Sequence, residues 1–160
     1  MANNKKNRNR KNAGRGKQKS AAAPVKAKMP QVPSGWLYLS DLELTLESVR
    51  EMLHNVYEME YWQEAGVLEI QLEESSIDFE EADMERADEI TQEYLAEKGA
   101  ETVFLVTISP LDYEAAEAAM KDLSGRLGGF FCGDTADFTP VLTYEIAGCQ
   151  ILCNLTITEL

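Results

Sequence analysis

The distribution of charge along the chain limits most strongly what it can fold into. Residues 1–28 contain ten lysines and arginines and no acidic residue, whereas residues 29–160 contain all 28 acidic residues and only five basic ones. Residues 1–28 also lack leucine, isoleucine and aromatic side chains. So little apolar surface cannot offset an ordering cost of roughly 1–2 kcal/mol per residue. We therefore predict a disordered basic tail followed by an acidic folded domain.

The boundary between these two parts is predicted from composition. Prolines and a short run of alanines continue as far as Gly35, where the stretch GWLYLS brings the first dense group of apolar residues. The predicted organisation is a disordered basic tail and linker over residues 1–34 and an acidic α+β domain over residues 35–160. A domain of that length can bury a core of its own.

Hydrophobic periodicity predicts the elements of the domain, because apolar residues alternate in half-buried strands and recur every three to four residues in helices. The predicted elements, in chain order, are a strand at 36–39, a helix at 46–62, a hairpin from 68–72 and 77–79, a helix after Asp83 ending at Gly99, a strand TVFLVTI, a helix from SPLD to Gly128, a strand FFCGD, and a terminal hairpin from VLTYEI and CQILCNLTI. The second helix is predicted to turn Ala87, Ile90, Tyr94 and Leu95 inward, and TVFLVTI to be buried on both faces.

The first six predicted elements follow the order strand, helix, strand, strand, helix, strand. This is the order of the split βαβ, ferredoxin-like unit, which predicts an antiparallel sheet with helices on one face. A third helix and a C-terminal β-hairpin extend the unit in this chain. The match concerns topology alone, and a fold by itself does not indicate a function.

Targeting signals and cysteine chemistry bear on the expected compartment. The basic start is followed by SAAAPV, which is too short for the apolar region of a secretory signal, and no window approaches the ~18 apolar residues of a membrane span. The cysteines are odd in number and form no C-x-x-C pair, so neither a disulfide framework nor a zinc knuckle is indicated. We expect a cytoplasmic protein without a membrane contact, in which Cys132, Cys149 and Cys153 are small buried hydrophobes.

One loop is the candidate for catalysis. The stretch GGFFCGDTADFTP, residues 128–140, brings Cys132, Asp134 and Asp137 together between a helix end and a strand. A functional interpretation makes the two carboxylates an acid/base pair or ligands of a hard cation, with the thiol nearby. A structural interpretation, which we favour, uses the glycines to end the helix and the polar residues to shape a turn. The single histidine, His54, lacks the partners of a catalytic or zinc site.

The acidic surface is the candidate for protein binding. Its carboxylates cluster in stretches that also contain aromatic residues, and a net charge of −23 on residues 29–160 exceeds what solubility requires. Such a field attracts basic proteins and repels nucleic acid. The candidate contact residues are Tyr61, Trp62, Glu80, Glu81 and Asp83.

The basic tail is the candidate for nucleic-acid binding, because clustered cations neutralise phosphates with little sequence preference. Its candidate contact residues are Lys5, Lys6, Arg8, Arg10, Lys11, Arg15, Lys17 and Lys19. The sequence thus favours a non-enzymatic binding or regulatory module, in which the acidic domain binds a basic protein and the tail contacts nucleic acid or another polyanion. The alternative is a small hydrolase-like or metal-assisted enzyme that uses the loop around Asp134. Neither a cofactor nor a metal is predicted, and the oligomeric state is left open.

Overall fold

Within the described residues, seven strands, three α-helices and two single 3₁₀ turns follow one another. The computed structural model describes residues 32–144. The strands and helices are β1 (Gly35–Ser40), α1 (Leu46–Leu53), β2 (Met59–Trp62), β3 (Val67–Gln71), β4 (Ser76–Glu81), α2 (Glu89–Lys98), β5 (Thr102–Ile108), α3 (Tyr113–Leu127), β6 (Phe130–Gly133) and β7 (Val141–Leu142). The 3₁₀ turns are Met84–Arg86 and Pro110–Asp112. Residues 1–31 of the predicted tail and linker, most of the terminal hairpin, Cys149 and Cys153 lie outside the described residues.

Local signals set several of the helix ends. Thr45 caps α1 through a reciprocal pair of hydrogen bonds with Ser48, which satisfies backbone N–H groups that have no partner within the helix. α2 begins after Asp88, whose carboxylate accepts a hydrogen bond from the Thr91 N–H, and ends at Gly99 in the left-handed conformation. The predicted start of the first helix at residue 46 and the predicted end of the second helix at Gly99 are therefore confirmed.

The seven strands form one sheet in the order β2-β3-β4-β5-β1-β6-β7, with every neighbouring pair antiparallel. The α+β class and the antiparallel sheet are confirmed, but the ferredoxin-like order is not. In a split βαβ unit a strand lies between the two parallel strands that a helix connects. Here α1 connects β1 and β2 across three intervening strands, and only α3 connects two strands, β5 and β6, that flank a single strand, β1. The predicted terminal hairpin is described only as far as β7.

The predicted helix over residues 46–62 is too long, because α1 ends at Leu53 and β2 follows. Tyr57 and Tyr61 continue the spacing of the α1 apolar stripe, so the sequence pattern alone extends the helix. In the structure β2 pairs with β3 from Met59 to Trp62. That pairing satisfies backbone groups along β3 and half-buries Tyr61 against the core. Tertiary pairing thus overrides the local period.

The main core lies between one face of the sheet and two helices. α1 packs over β3 and β4, while α3 packs over β6 and β7. Alternate strand residues point into this layer, where Tyr38, Phe79, Phe104 and Phe131 form a connected group of rings with centroids 5.1–6.0 Å apart. The Tyr38 hydroxyl reaches the Gly128 carbonyl at 2.7 Å, so its buried polar atom is satisfied.

Helices on a single face of the sheet were predicted, but α2 lies on the face opposite α1 and α3. Leu95 of α2 packs with Leu37, Leu39 and Cys132 in a smaller core on the opposite side of the sheet. Ile90, predicted to point inward, is 65% exposed. Two adjacent residues of α2 point toward the sheet. Tyr94 stacks on the Phe138 ring, and Leu95 enters the smaller core. The helix therefore presents a narrow apolar face to the sheet.

Among the described strands, β1 is the most fully buried on both faces, because α3 lies on one side of it and α2 on the other. Trp36 and Tyr38 enter the main core, whereas Leu37 and Leu39 enter the smaller one. β5, for which two-sided burial was predicted, is central in the sheet but has an exposed Thr107 and half-buried residues on its second face. β5 is less buried than β1 on this second face because α2 packs over only part of the sheet.

Candidate functional site

Three acidic side chains form a row across the outer strands of the sheet, which we call the carboxylate row. Glu60 of β2 lies directly opposite Glu69 of β3, and Glu69 lies directly opposite Asp78 of β4. Directly opposed residues point to the same face, with Cβ atoms roughly 4.5–5.5 Å apart. Like charges in this arrangement repel each other, so the row concentrates negative charge at a cost in stability.

The carboxylate row lies on the open face of the sheet. The alternate residues of β3 and β4, Leu68, Ile70, Ile77 and Phe79, are buried in the main core, which directs the residues between them to the opposite face. α2, on that opposite face, packs against residues of β5, β1 and β6. Within residues 32–144, therefore, no helix covers the faces of β2, β3 and β4 that carry the row.

Neutral donors give the row limited support. The Gln71 side-chain amide donates to Glu69 Oε1 at 2.8 Å, and the Ser76 hydroxyl donates to Asp78 Oδ1 at 3.2 Å. Burial raises the pKa of Asp78 above its ordinary value; the Ser76 hydrogen bond opposes this rise and the charge of Glu69 adds to it. A raised pKa means that the folded state holds the ionised carboxylate at a cost.

The basic residues of the described part of the chain are engaged elsewhere. Those that pair with a carboxylate or lie over a ring are Arg86 with Asp83 at 3.1 Å, Lys121 with Glu117 at 3.1 Å, Arg126 with Asp122 at 2.7 Å, Arg50 over Tyr61 at 5.8 Å and Lys98 over Tyr94 at 5.5 Å. None of the ion pairs found within residues 32–144 involves the carboxylate row. The row is thus left without a cationic side chain from this part of the molecule.

A second row, which we call the tryptophan row, lies beside the first on the same face. Trp62 of β2 is opposite Val67, which is opposite Glu80, which is opposite Leu105 of β5. Trp62 is 55% exposed. An exposed indole beside carboxylates attracts lysine and arginine twice, through the ring face and through the neighbouring negative charge. The two rows together form a mixed apolar and anionic surface, the open face.

The structure brings together only some of the residues predicted to bind a protein. Trp62 and Glu80 share the tryptophan row, whereas Tyr61 points to the core side of β2. Glu81 lies at the end of β4, beside an open cleft next to α2, and Asp83 pairs with Arg86. Glu60, Glu69 and Asp78 were not among the residues predicted to bind a protein. Glu69 lies within the predicted hairpin, but only strand pairing aligns it with the other two carboxylates.

An open cleft of about 840 Å³ lies beside α2. Its apolar wall includes Leu95 and Val103, and the acidic side chains on its lining are Glu43, Glu81 and Glu101. In the described part of the chain no three histidine, cysteine or acidic residues lie close enough together to hold a metal ion. The cleft therefore adds to the negative character of this domain without forming a metal centre there.

Residues of the candidate catalytic loop are hydrogen-bonded within the loop or buried. Asp137 accepts hydrogen bonds from the hydroxyls of Thr135 at 2.9 Å and Thr139 at 2.8 Å, which lower its pKa. The Cys132 thiol is fully buried, and burial raises its pKa to about 11, so it is a thiol at neutral pH. Asp134 follows β6, and its backbone N–H donates to the Gly35 carbonyl. These contacts match the structural interpretation of the loop.

Glycines are required at both ends of β6. A side chain at Gly133 would collide with the Thr139 carbonyl, and one at Gly129 would collide with the Leu39 carbonyl. Gly129 also has a positive φ of 71°. His54, the other residue considered for catalysis, is exposed at the C-terminal end of α1 and its Nδ1 contacts the Glu51 carbonyl oxygen at 2.6 Å.

The eight basic residues predicted to bind nucleic acid lie outside the described residues. Among the helices of the described part, none is long and apolar enough to cross a membrane. Comparison with known proteins adds no family: no protein-family model, no curated protein and no solved structure matches this chain.

Proposed function

We propose that this chain is a binding module whose acidic domain docks a basic protein through the open face of its sheet. The observation that carries the proposal is the carboxylate row of Glu60, Glu69 and Asp78, which has no cationic partner within residues 32–144. Proteins retain destabilising local arrangements mainly where function needs them. A partner with lysines and arginines would remove the repulsion within the row.

The character of the open face suits such a partner. Carboxylates steer a basic protein toward the domain and set its orientation, while apolar contacts supply the area that holds the complex together. Trp62 and Val67 provide the apolar part beside the charges. Tryptophan is one of the residue types that most often contributes strongly to binding energy at protein interfaces.

The basic tail, here called the N-terminal arm, supplies the second contact in this proposal. Ten cations within the first 28 residues suit nucleic acid or another polyanion, and the acidic domain would be held near that polyanion by the arm. The arm and the open face then bind partners of opposite charge. In this proposal the arm binds nucleic acid or another polyanion, and the open face binds a basic protein.

Charge neutralisation on the open face tests the protein-binding half. The full chain carrying Glu60→Gln, Glu69→Gln and Asp78→Asn is compared with a matched chain carrying Glu85→Gln, Glu89→Gln and Glu93→Gln, exposed residues around α2. The probe is a fluorescent octalysine peptide, titrated at several salt concentrations. We expect the first chain to lose about tenfold in affinity and the second to lose about threefold or less, since local charges dominate at a Debye length near 8 Å. Equal losses would mean that net charge alone binds the probe.

Replacing the eight predicted contact residues of the arm by glutamine, in the full chain, tests the nucleic-acid half. We expect the wild-type chain to be retained on immobilised RNA or DNA at low salt and to elute steeply as salt rises. The variant should not be retained. Unchanged retention of the variant would overturn the role of the arm and leave the protein-binding half standing.

A further inference from the structure

We infer that the basic partner binds as an added β-strand along the free edge of β2, with its lysines and arginines alternating onto the open face. This inference rests on the proposed function and adds how the partner is held and what sequence pattern it carries. The occupant is an extended segment in which basic and apolar residues alternate.

The backbone of β2 has an unused edge in the described part of the chain. β2 is the terminal strand of the sheet and pairs there only with β3. The Gln71 N–H donates to the Glu58 carbonyl at 2.8 Å, which makes these two residues a hydrogen-bonded pair. Because such pairs alternate along antiparallel strands, Glu60 and Trp62 also bond toward β3. The N–H and C=O groups of Met59 and Tyr61 therefore point away from the sheet, toward an incoming strand.

The usual protection of an edge strand against pairing is weak here. Natural edges carry lysine, proline, a bulge or an inward-pointing charge that discourages a further strand. β2 reads MEYW, with no lysine and no proline, and its register with β3 runs without interruption. Its one charge, on Glu60, repels acidic strands and accepts basic ones. The edge is thus selective by charge.

The pleat of an added strand defines the pattern of the partner. Residues opposite Glu60 and Trp62 would lie on the open face, where one meets the end of the carboxylate row and the other meets the exposed indole. Lysine or arginine suits both places. Residues opposite Met59 and Tyr61 would lie on the core side, beside two half-buried apolar side chains. Main-chain bonds then give affinity and the alternating side chains give specificity.

Three peptides that share a composition test the mode of binding on the full chain. The first, acetyl-TKVRVKT-amide, alternates basic and apolar residues; the second, acetyl-TKRKVVT-amide, has the same residues without alternation. The third is the first with both valine amides methylated, which removes the N–H groups that would face β2. Binding is followed by the fluorescence of Trp62, since Trp36 is 1% exposed and does not contact solvent. Exchange of backbone amide protons is followed by NMR.

Strand addition predicts that the first peptide binds at least about tenfold more tightly than the other two, because only it combines main-chain bonding with alternation. The amides of Met59 and Tyr61 should then exchange more slowly in the complex. A Glu60→Lys chain should lose affinity for the first peptide and gain it for acetyl-TKVEVKT-amide. This swap of charges between the chain and the peptide tests the register independently of the amide-proton exchange.

Two other outcomes overturn the inference and separate it from the proposed function. Equal affinity for all three peptides, without slower amide exchange at Met59 and Tyr61, would overturn strand addition. The charge-based docking of the proposed function would still stand if the substitutions in the carboxylate row weakened octalysine binding. Failure of every peptide to bind, together with octalysine binding that ignores those substitutions, would overturn both.

Discussion

The two faces of β3 and β4 are built from alternate residues of the same two strands, yet they obey different requirements. On the covered face, Leu68, Ile70, Ile77 and Phe79 are completely buried under α1. On the open face, the residues between them include Glu69 and Asp78, which oppose each other as like charges. The covered face is organised for stability, whereas the open face accepts a loss of stability. This difference teaches that the open face is where selection for binding would act.

The largest expected effect separates the two faces at neighbouring residues. Replacing Phe79 by alanine should lower the free energy of unfolding by about 3–5 kcal/mol, because the ring is fully buried and its loss leaves a cavity. Replacing the adjacent Glu80 by alanine should change it by less than about 0.5 kcal/mol, since this side chain is exposed. Urea unfolding of both variants measures the difference. A large loss from Glu80→Ala would show that the open face is also structural.

A smaller effect, of the opposite sign, is expected from the carboxylate row. Replacing Glu69 by glutamine removes the central charge of the row and should raise the free energy of unfolding by about 0.5 kcal/mol at low salt. The gain should shrink toward zero in about 1 M salt, where the Debye length is near 3 Å. Glu93→Gln on α2 is the control, because that side chain is exposed and outside the row. A loss of stability from Glu69→Gln would contradict repulsion within the row.

The pH dependence of stability distinguishes Asp78 from Asp137. Burial raises the pKa of Asp78 in the folded state, so its contribution is fully present below the ordinary value of 3.8 and is lost as pH rises through the folded pKa. Hydrogen bonds from Thr139 and Thr135 lower the pKa of Asp137, so its contribution is present above 3.8 and is lost as pH falls through the folded pKa.

Unfolding measured between about pH 3 and pH 7 for Asp78→Asn and Asp137→Asn checks these opposite signs. Relative to the wild type, the Asp78 variant should gain stability as pH rises, because it no longer holds a charge at a cost. The Asp137 variant should lose relative stability as pH rises over the same range. If relative stability changed with pH in the same direction for both variants, the inference that the folded state holds the Asp78 charge at a cost would be contradicted.

The smallest expected effect concerns access to the two tryptophans. Trp62 is exposed beside carboxylates and Trp36 is buried, so quenching of the total fluorescence should come from Trp62. A cationic quencher such as caesium should act more strongly on it than the anionic iodide, after each is scaled by its effect on free tryptophan. The Trp62→Phe chain should show little quenching by either ion. Equal scaled quenching would mean that the open face lacks the expected negative potential.

Much of the architecture could be predicted from local patterns. The strand at β1 and the hairpin of β3 and β4 followed directly from their periodicity, and Gly99 ended α2 as expected. The predictions failed where two periods fit one stretch. Residues 57–62 continue a helical stripe and also alternate over four positions, and only pairing with β3 selects the strand.

The candidate site was predictable only in part for a related reason. Trp62 and Glu80 were identified from acidic and aromatic clustering in the sequence, but they are brought together by strand register. Glu60, Glu69 and Asp78 are nine residues apart in each step and carry no shared motif. Their alignment depends on the lengths of two turns, which shift every side chain to the opposite face when they change by one residue.

The sequence by itself determined which of the described residues favour helix or strand and where the negative charge of the chain is concentrated, because composition, period and capping are local properties. Only the tertiary structure decided the order of strands, the side of the sheet on which each helix packs, and the alignment of three distant carboxylates on an open face. The physical reason is that strand register and helix docking depend on contacts between residues far apart in the chain, which no local pattern contains.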